Sequence, residues 1–283
     1  MHRLLRSTVS PIRFCGVLWV FFVCANEDVV WAEPPPPEVI ELSGETPDKS
    51  ILCSVYRPDP LPEQGKGGLL IHLYGHNGSH LDYNASADSY KRFRQQLSER
   101  GFWLVIPDLG PRHWMNKAAV ENVDRVIEQM TEKQSIDKDQ VHLLGTSMGG
   151  GGSLVYVTRR PGKIRSVVSV FPMTDYVKWE KELNGNYSRG IVTAHGVDFD
   201  KREELFRELS PTGHIDAFEK TSVYLLHGAS DNICPLSHSQ EFAKLMSEKK
   251  YAVILKEVPG IGHTDAIMED YQDEVADFLT GRK

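Results

Sequence analysis

A serine flanked by glycines follows an apolar run in the segment VHLLGTSMGGGGS, residues 141–153. Gly145, Ser147 and Gly149 match the pattern G-x-S-x-G, with a predicted strand before them and a predicted helix after them. A serine at the tip of so sharp a turn needs glycines two residues to either side, because side chains there would collide. The segment therefore predicts a nucleophilic serine presented above a sheet.

A serine hydroxyl is a good nucleophile only when a base accepts its proton. His263 is the predicted base, because it follows the last apolar strand, comes directly after a glycine-containing segment and precedes an amphipathic helix. His72 and His142 lie inside predicted strands, and His227 ends a strand beside a glycine turn. These three histidines are therefore predicted to be structural.

The imidazole of such a base needs a carboxylate that fixes its tautomer and stabilises its charged form. Asp231 is the predicted acid, because it lies in the loop after the penultimate strand and gives the chain order serine, acid, base. Asp265 is only two residues from His263 and points badly for a side-chain contact. Asp198 and Asp200 lie in a polar, irregular stretch and are predicted to be solvated.

A tetrahedral intermediate also needs donors for its oxyanion. The backbone N–H of Met148, directly after the serine, is one predicted donor, and the N–H of His76 is the other. His76 lies in the turn at residues 74–79, for which a purely structural role is the alternative. Three aromatic residues are candidate substrate contacts: Tyr74, Trp179 and Tyr187.

Apolar runs and helical patterns alternate along the rest of the chain. Strands are predicted at residues 50–58, 67–75, 101–108, 140–147, 165–171, 221–228 and 252–260. Helices are predicted at residues 85–99, 116–134, 148–159, 201–209, 236–249 and 265–280. Because several strands are apolar on both faces, this order predicts an α/β fold whose mostly parallel sheet is flanked by helices on both faces.

One stretch, residues 174–210, departs from this alternation because it is polar and irregular. In a sheet of this kind, such an excursion usually lies above the carboxyl ends of the strands, where ligands bind. A substrate lid and a surface loop with scattered aromatic residues are both open.

Residues 1–32 are predicted to be a signal peptide. Three arginines precede an apolar run of twelve residues, 14–25, which is too short to cross a bilayer that needs about 20. Cleavage is expected after Ala32, with Ala25 as the alternative; a buried helix or a retained membrane anchor is the competing interpretation. We therefore expect a periplasmic or secreted protein with no stable membrane insertion after cleavage.

The remaining chain is divided into an extended spacer at residues 33–49 and a catalytic domain at residues 50–283. Loss of residues 1–32 removes three basic and two acidic residues and changes the net charge from −7 to −8. This acidic balance argues against a nucleic-acid partner. The histidines lack metal-ligand spacing such as H-E-x-x-H, so neither a metal nor an organic cofactor is expected.

Over residues 50–280 the chain resembles the α/β-hydrolase superfamily. Three blocks carry the serine, the acid and the base: SIDKDQVHLLGTSMGGGGS, ELSPTGHIDAFEKTSVYLLHGASDNICPLSHSQEFAKLM and VPGIGHTDAIMEDYQDEVADFL. They are similar to the prolyl-oligopeptidase-like group, which includes many secreted esterases. The resemblance implies an α/β-hydrolase fold. It also implies that Cys53 and Cys234 lie toward opposite edges of the sheet, too far apart for a disulfide.

The residues and the resemblance together predict a serine hydrolase that cleaves carboxylic esters through an acyl-enzyme intermediate. Small-molecule or polymer-derived esters are the expected substrates. A serine peptidase of the same group is the closest alternative, because ester and amide hydrolysis share this machinery. A catalytically silent binding protein of the same fold is a further alternative, which the complete set of three residues disfavours.

Overall fold

The central sheet has eight strands, seen in a computed structural model that describes residues 36–44, 49–81, 88–134 and 136–282. The strands, numbered along the chain, are β1 (Glu38–Ser43), β2 (Ser50–Tyr56), β3 (Gly67–Leu73), β4 (Phe102–Pro107), β5 (Ile136–Thr146), β6 (Ser166–Val170), β7 (Ser222–Gly228) and β8 (Val253–Val258). Their order across the sheet is β1-β2-β4-β3-β5-β6-β7-β8. The predicted signal peptide lies outside the described residues.

Most of the sheet is parallel. The two pairs β1–β2 and β2–β4 are antiparallel, whereas every pairing from β4 to β8 is parallel. All residues of β3, β4 and β6 are buried, because helices cover both faces of the sheet. The predicted mostly parallel α/β architecture is confirmed.

Eight α-helices accompany the strands in the described part of the chain: α1 (Asp88–Glu99), α2 (Lys117–Lys133), α3 (Met148–Arg159), α4 (Tyr176–Glu182), α5 (Ser188–His195), α6 (Arg202–Leu209), α7 (Ser237–Glu248) and α8 (Gln272–Thr280). α2 begins at an Asn116 cap, whose side chain accepts a hydrogen bond from the N–H of Ala119. Its buried face includes the four predicted residues, which are three or four apart: Val120, Val123, Ile127 and Met130. No helix among the described residues is long and apolar enough to cross a membrane.

The structure corrects three predicted boundaries. The spacer predicted at residues 33–49 contains β1, which pairs with β2 and buries Leu42, so the sheet begins before residue 50. The stretch 174–210 is not irregular, because it holds α4, α5 and α6. The helix predicted at residues 265–280 is a 3-10 turn at Asp265–Met268 followed by α8.

The two described cysteines are separate, buried thiols. Cys53 lies on β2 and Cys234 follows β7, and these strands are each second from an opposite edge of the sheet. Burial, followed by the charge of Asp108, raises the pKa of the Cys53 thiol to about 12. The expectation of no disulfide between them is confirmed.

Parallel strands bring three loops to the same edge of the sheet. The turn after β5 carries Ser147, the loop after β7 carries Asp231, and the loop after β8 carries His263. Carboxyl ends of neighbouring parallel strands point the same way, so these loops converge although the chain separates them widely.

Candidate active site

Ser147 lies in a strained turn between β5 and α3. Its backbone has φ 53° and ψ −117°, and its N–H donates to the Val170 carbonyl at 3.0 Å. A Cβ on Gly145 would lie 2.1 Å from the Gly149 carbonyl oxygen, and one on Gly149 would lie 1.9 Å from that of Leu73. The geometry confirms that both glycines are needed for this turn.

The next three glycines differ in what surrounds them. A Cβ on Gly150 would lie 2.7 Å from the Val170 carbonyl oxygen, and one on Gly151 would lie 2.4 Å from the Met173 sulfur. A Cβ on Gly152 would approach the Met115 side chain at 3.4 Å, an ordinary van der Waals contact. Close packing of the helix start against β6 and the chain after it therefore requires Gly150 and Gly151 but not Gly152.

The side chains of the three predicted catalytic residues, Ser147, His263 and Asp231, are joined in a line by two hydrogen bonds. Nε2 of His263 is 2.8 Å from Oγ of Ser147, and Nδ1 is 2.7 Å from Oδ2 of Asp231. Because an ionised carboxylate only accepts hydrogen bonds, Nδ1 carries the ring proton and donates it to Asp231. Nε2 is then the acceptor for the hydroxyl of Ser147, which is the arrangement that a general base needs.

The carboxylate of Asp231 is fully buried, with its oxygens held by separate donors. Oδ1 accepts the backbone N–H groups of Ile233 and Cys234, each at 2.8 Å, while Oδ2 accepts the ring N–H of His263. Burial alone would raise the pKa of Asp231, but the hydrogen bonds from His263 and the two backbone groups outweigh it and lower the pKa. The group is therefore charged at neutral pH.

The other candidate acids and bases of the sequence do not form part of the hydrogen-bonded line. Asp198 and Asp200 are exposed, as predicted. Asp265 is also exposed and lines the pocket beside His263, but the carboxylate that pairs with the ring is that of Asp231. Burial lowers the pKa of His142 to about 3, so that its ring is neutral inside the sheet.

A pocket of about 310 Å³ opens above Ser147 and His263. Aromatic rings form much of its wall: Trp179 stacks on Tyr187 with centroids 5.0 Å apart, and Trp114 lies 6.0 Å from Trp179. The indole N–H of Trp179 donates to the Ile233 carbonyl at 2.7 Å. The structure therefore brings the predicted Trp179 and Tyr187 to the site, on helix α4 and directly before α5. Among the described residues no three His, Cys, Asp or Glu side chains are grouped to hold a metal ion.

Tyr74 does not take the predicted place of a substrate contact. Its side chain is buried, and its hydroxyl accepts the N–H of Leu109 at 2.8 Å and lies 3.2 Å from Oδ1 of Asp108 and from the Gly110 carbonyl. The ring therefore fixes the loop after β4 and is not part of the pocket wall. The correction follows from the side-chain direction, because Tyr74 points into the core while the next residues turn toward the serine.

The two predicted oxyanion donors lie beside Ser147. Met148 is the first residue of α3, where backbone N–H groups have no partner within the helix. His76 lines the pocket, and a Cβ on the preceding Gly75 would lie only 3.6 Å from that of Ser147. The N–H of Asn77 donates to the Pro111 carbonyl at 2.7 Å and anchors this turn.

Sequence reasoning missed two aromatic residues of the pocket. Trp114 follows β4, and Phe171 follows β6 with its ring centroid 4.3 Å from that of His263. Both have positive φ, 42° and 38°, which is uncommon for large side chains and marks tightly held backbone. Their position just after parallel strands was the available signal, since that edge is where ligands bind.

Comparison with known proteins shows the family of the chain. A family model described as the prolyl oligopeptidase family matches residues 89–281. The chain belongs to the prolyl oligopeptidase family. The chain is a serine hydrolase with an α/β-hydrolase fold.

Curated relatives of this prolyl oligopeptidase family member cover most of its length. S-formylglutathione hydrolase of Mus musculus is 24% identical over 263 residues, which cover 80% of this chain and 87% of that protein. The uncharacterized protein YfhR of Escherichia coli strain K12 is 21% identical over 271 residues, which cover 92% of this chain and 86% of that protein.

Solved structures show the same fold at low identity. A puromycin-hydrolysing peptidase of Mycobacterium tuberculosis has a TM-score of 0.73 at 18% identity, covering 87% of this chain and 39% of that one. An S-formylglutathione hydrolase of Agrobacterium tumefaciens has a TM-score of 0.68 at 15% identity, covering 86% of this chain and 94% of that one. The chain thus spans about two fifths of the peptidase and nearly all of the S-formylglutathione hydrolase structure.

Proposed function

We propose that the protein hydrolyses carboxylic esters through an acyl-enzyme intermediate. Ser147 is the nucleophile, His263 the general base and Asp231 the acid that orients the imidazole. The observation that carries the acyl-transfer chemistry of this proposal is the hydrogen-bonded line Ser147–His263–Asp231, with contacts of 2.8 and 2.7 Å at the floor of an open pocket. Such a line activates a serine hydroxyl that is otherwise a weak nucleophile.

Acylation begins when Oγ of Ser147 attacks the ester carbonyl carbon and its proton moves to Nε2 of His263. The carbonyl oxygen becomes an oxyanion, which accepts hydrogen bonds from the N–H groups of Met148 and His76. The intermediate collapses as the carbon–oxygen bond to the alcohol breaks. The leaving alkoxide takes the proton from His263 and departs as the free alcohol.

Deacylation repeats these steps with water. Nε2 of His263 accepts a proton from a water molecule, whose oxygen attacks the acyl carbon bonded to Ser147. The second tetrahedral intermediate breaks the bond to Oγ, and the proton returns to Ser147 as the carboxylic acid leaves. Asp231 stabilises the imidazolium that forms in both halves of the reaction.

The aromatic part of the pocket wall favours planar, apolar groups. Trp114, Trp179 and Tyr187 line one wall, with Phe171 beside His263, and aromatic rings favour stacked or edge-to-face contact with planar groups. We infer small-molecule or polymer-derived esters that carry such a group. S-formylglutathione hydrolases of similar length, which are named for a thioester substrate, support cleavage of an ester or thioester over that of an amide.

A serine peptidase is the second candidate function. The match to the prolyl oligopeptidase family and the likeness to a puromycin-hydrolysing peptidase favour it. The same attack by Ser147 on an amide carbonyl would release an amine, protonated by His263, instead of an alcohol. The catalytic line therefore does not separate the two substrates, and a direct comparison of rates is needed.

The test compares p-nitrophenyl esters of acetate, butyrate and phenylacetate with peptide p-nitroanilides, using the full chain. For an esterase, the ratio of kcat/KM to the uncatalysed rate of hydrolysis is larger for the esters than for the anilides, and Ser147→Ala reduces the ester activity to the background rate. Faster hydrolysis of an anilide would assign the peptidase function. Binding without hydrolysis of either class by folded protein would assign the catalytically silent alternative and contradict both enzymatic proposals.

A further inference from the structure

His227 is a fully buried histidine that the proposed chemistry does not use. It lies near the end of β7, four residues before Asp231, and its side chain has no exposed surface. Nδ1 is 2.7 Å from Oγ of Ser239 in the first turn of α7, and Nε2 is 2.7 Å from the Cys234 carbonyl oxygen. Both ring nitrogens are thus engaged, one with Cys234 in the loop that carries Asp231 and the other with Ser239 in the helix that follows this loop.

The partners of His227 determine where its proton lies. A carbonyl oxygen only accepts hydrogen bonds, so Nε2 carries the proton and donates it to Cys234. Burial outweighs the opposing effects of the Cys234 carbonyl and Asp231 and lowers the pKa of His227, so the ring is neutral. Nδ1 therefore accepts the hydroxyl proton of Ser239, which keeps the ring in this single tautomer and orientation.

Cys234 connects this ring to the catalytic acid. Its N–H donates to Oδ1 of Asp231 at 2.8 Å, while its carbonyl accepts the N–H of His227. The residue is therefore fixed at both of its peptide groups. Nε2 of His227 is also 3.6 Å from Oδ2 of Asp231, the oxygen that accepts from His263. A proton-bearing nitrogen at that distance favours the carboxylate without competing for its short hydrogen bond.

We propose that His227 is a positioning residue, which holds the Asp231 loop and thereby aligns His263 with Ser147. The contacts run from Ser239 through His227 and Cys234 to Asp231, each at 2.7 or 2.8 Å. This inference rests on the proposed function, because it assigns His227 a role in the same acyl transfer. The side chain of His227 touches neither the substrate nor the reacting atoms.

The principal variant is His227→Leu, which keeps an apolar side chain of similar size and removes the donor to Cys234. Displacement of a catalytic group by about 1 Å can cost up to about 100-fold in rate. We expect kcat on p-nitrophenyl acetate to fall roughly 10- to 100-fold, with KM within about twofold of the wild type because the pocket wall is unchanged. His227→Gln keeps an N–H that can reach the Cys234 carbonyl and should recover most of the lost kcat.

A matched control is available within the sheet. His142 is also buried, and its Nδ1 lies 2.7 Å from Oγ of Ser166, but it pairs with the amino end of β6 and not with the catalytic loops. Both His142→Leu and His227→Leu should lower the melting temperature, but kcat of His142→Leu should stay within twofold of the wild type. An equal loss of kcat in both variants would overturn the proposal.

Ser239→Ala provides the second probe if His227→Leu does not fold. It removes only the hydroxyl that orients the ring, so kcat should fall severalfold at constant KM. The proton shared by His263 and Asp231 gives a third readout, a downfield proton resonance that should broaden in both variants and stay sharp in His142→Leu. A folded Ser239→Ala with wild-type kcat and an unchanged resonance would refute the positioning role.

Failure of the inference and failure of the proposed function are distinguishable. If the wild-type protein hydrolyses no ester and reacts with no fluorophosphonate, the proposed function fails. The resonance then still reports whether His227 and Ser239 hold Asp231 against His263. If the wild type is active and His227→Leu is equally active, only the positioning role fails.

Discussion

Gly149→Ala should destabilise the fold and abolish activity, whereas Gly152→Ala, three residues later in α3, should do neither. At Gly149 the added Cβ would lie 1.9 Å from the Leu73 carbonyl oxygen and 2.4 Å from its carbonyl carbon. These are backbone atoms of β3 near the middle of the sheet, so they cannot move aside as a side-chain tip would. The helix must therefore shift away from the sheet by more than about 1 Å to reach ordinary contact distance.

The magnitude follows from two opposing effects. Overpacking of this severity costs about 3 kcal/mol or more, and alanine recovers about 1 kcal/mol through its helix propensity. Gly149→Ala should thus lose at least about 2 kcal/mol, which lowers the melting temperature by roughly 4–8 °C in a protein of this size. At Gly152 the nearest atom is the Met115 methyl carbon at 3.4 Å, so the propensity gain is largely kept.

Thermal unfolding monitored by circular dichroism measures both variants against the wild type, and ester hydrolysis measures the position of Ser147. We expect Gly152→Ala to melt at the wild-type temperature or up to about 4 °C above it, with full activity. A Gly149→Ala protein that melts within 2 °C of the wild type and keeps its activity would refute the packing argument. So would a Gly152→Ala protein that is as damaged as Gly149→Ala.

Three other changes test separate parts of the structure. Asp231→Asn should lower kcat by about 10⁴-fold, because an amide no longer fixes the base in its active tautomer; a loss below tenfold in steady-state assays would argue against this acid. Tyr187→Ala should raise KM for phenylacetate esters roughly fivefold while acetate esters change little, since a ring contact contributes about 1 kcal/mol; equal effects on both esters, measured side by side, would place the acyl group elsewhere. Asp124 is a stability prediction. Burial raises its pKa, but hydrogen bonds from Arg160, Lys163 and Tyr156 outweigh that effect and lower the pKa below its ordinary value. Its stabilisation is therefore present above about pH 4 and lost as the pH falls through the lowered pKa. Asp124→Asn should lose about 1–3 kcal/mol in urea unfolding at pH 7 and much less near pH 3; a difference independent of pH would exclude a charge effect.

The sequence allowed prediction of the catalytic line because each member carries a local signal. Gly145 and Gly149 mark a turn that few other residues can form, and Asp231 and His263 each follow an apolar strand. Parallel strands then bring those positions to one edge of the sheet, although 116 residues separate Ser147 from His263. The chemistry was predictable because strand order and strand direction determine which loops meet.

What could not be predicted depends on side-chain direction and on weak local patterns. Tyr74 and Trp114 both follow strands and both are buried, but only the packed structure shows that Trp114 reaches the pocket wall and Tyr74 does not. The helices α4 and α5 have seven and eight residues, too few for a clear 3.6-residue period. The prolines before β1 led to the prediction of an extended spacer there. The place of β1 in the sheet is set by its pairing with β2.

The most direct test of the catalytic assignment is the site of covalent labelling by a fluorophosphonate. We expect intact-protein mass spectrometry to show one adduct per chain, located by peptide mapping on Ser147. Labelling should disappear in Ser147→Ala and slow strongly in His263→Ala, because the hydroxyl of Ser147 reacts only when the imidazole accepts its proton. Folded wild-type protein that takes up no adduct, or an adduct on any residue other than Ser147, would contradict the assignment of Ser147 as the nucleophile.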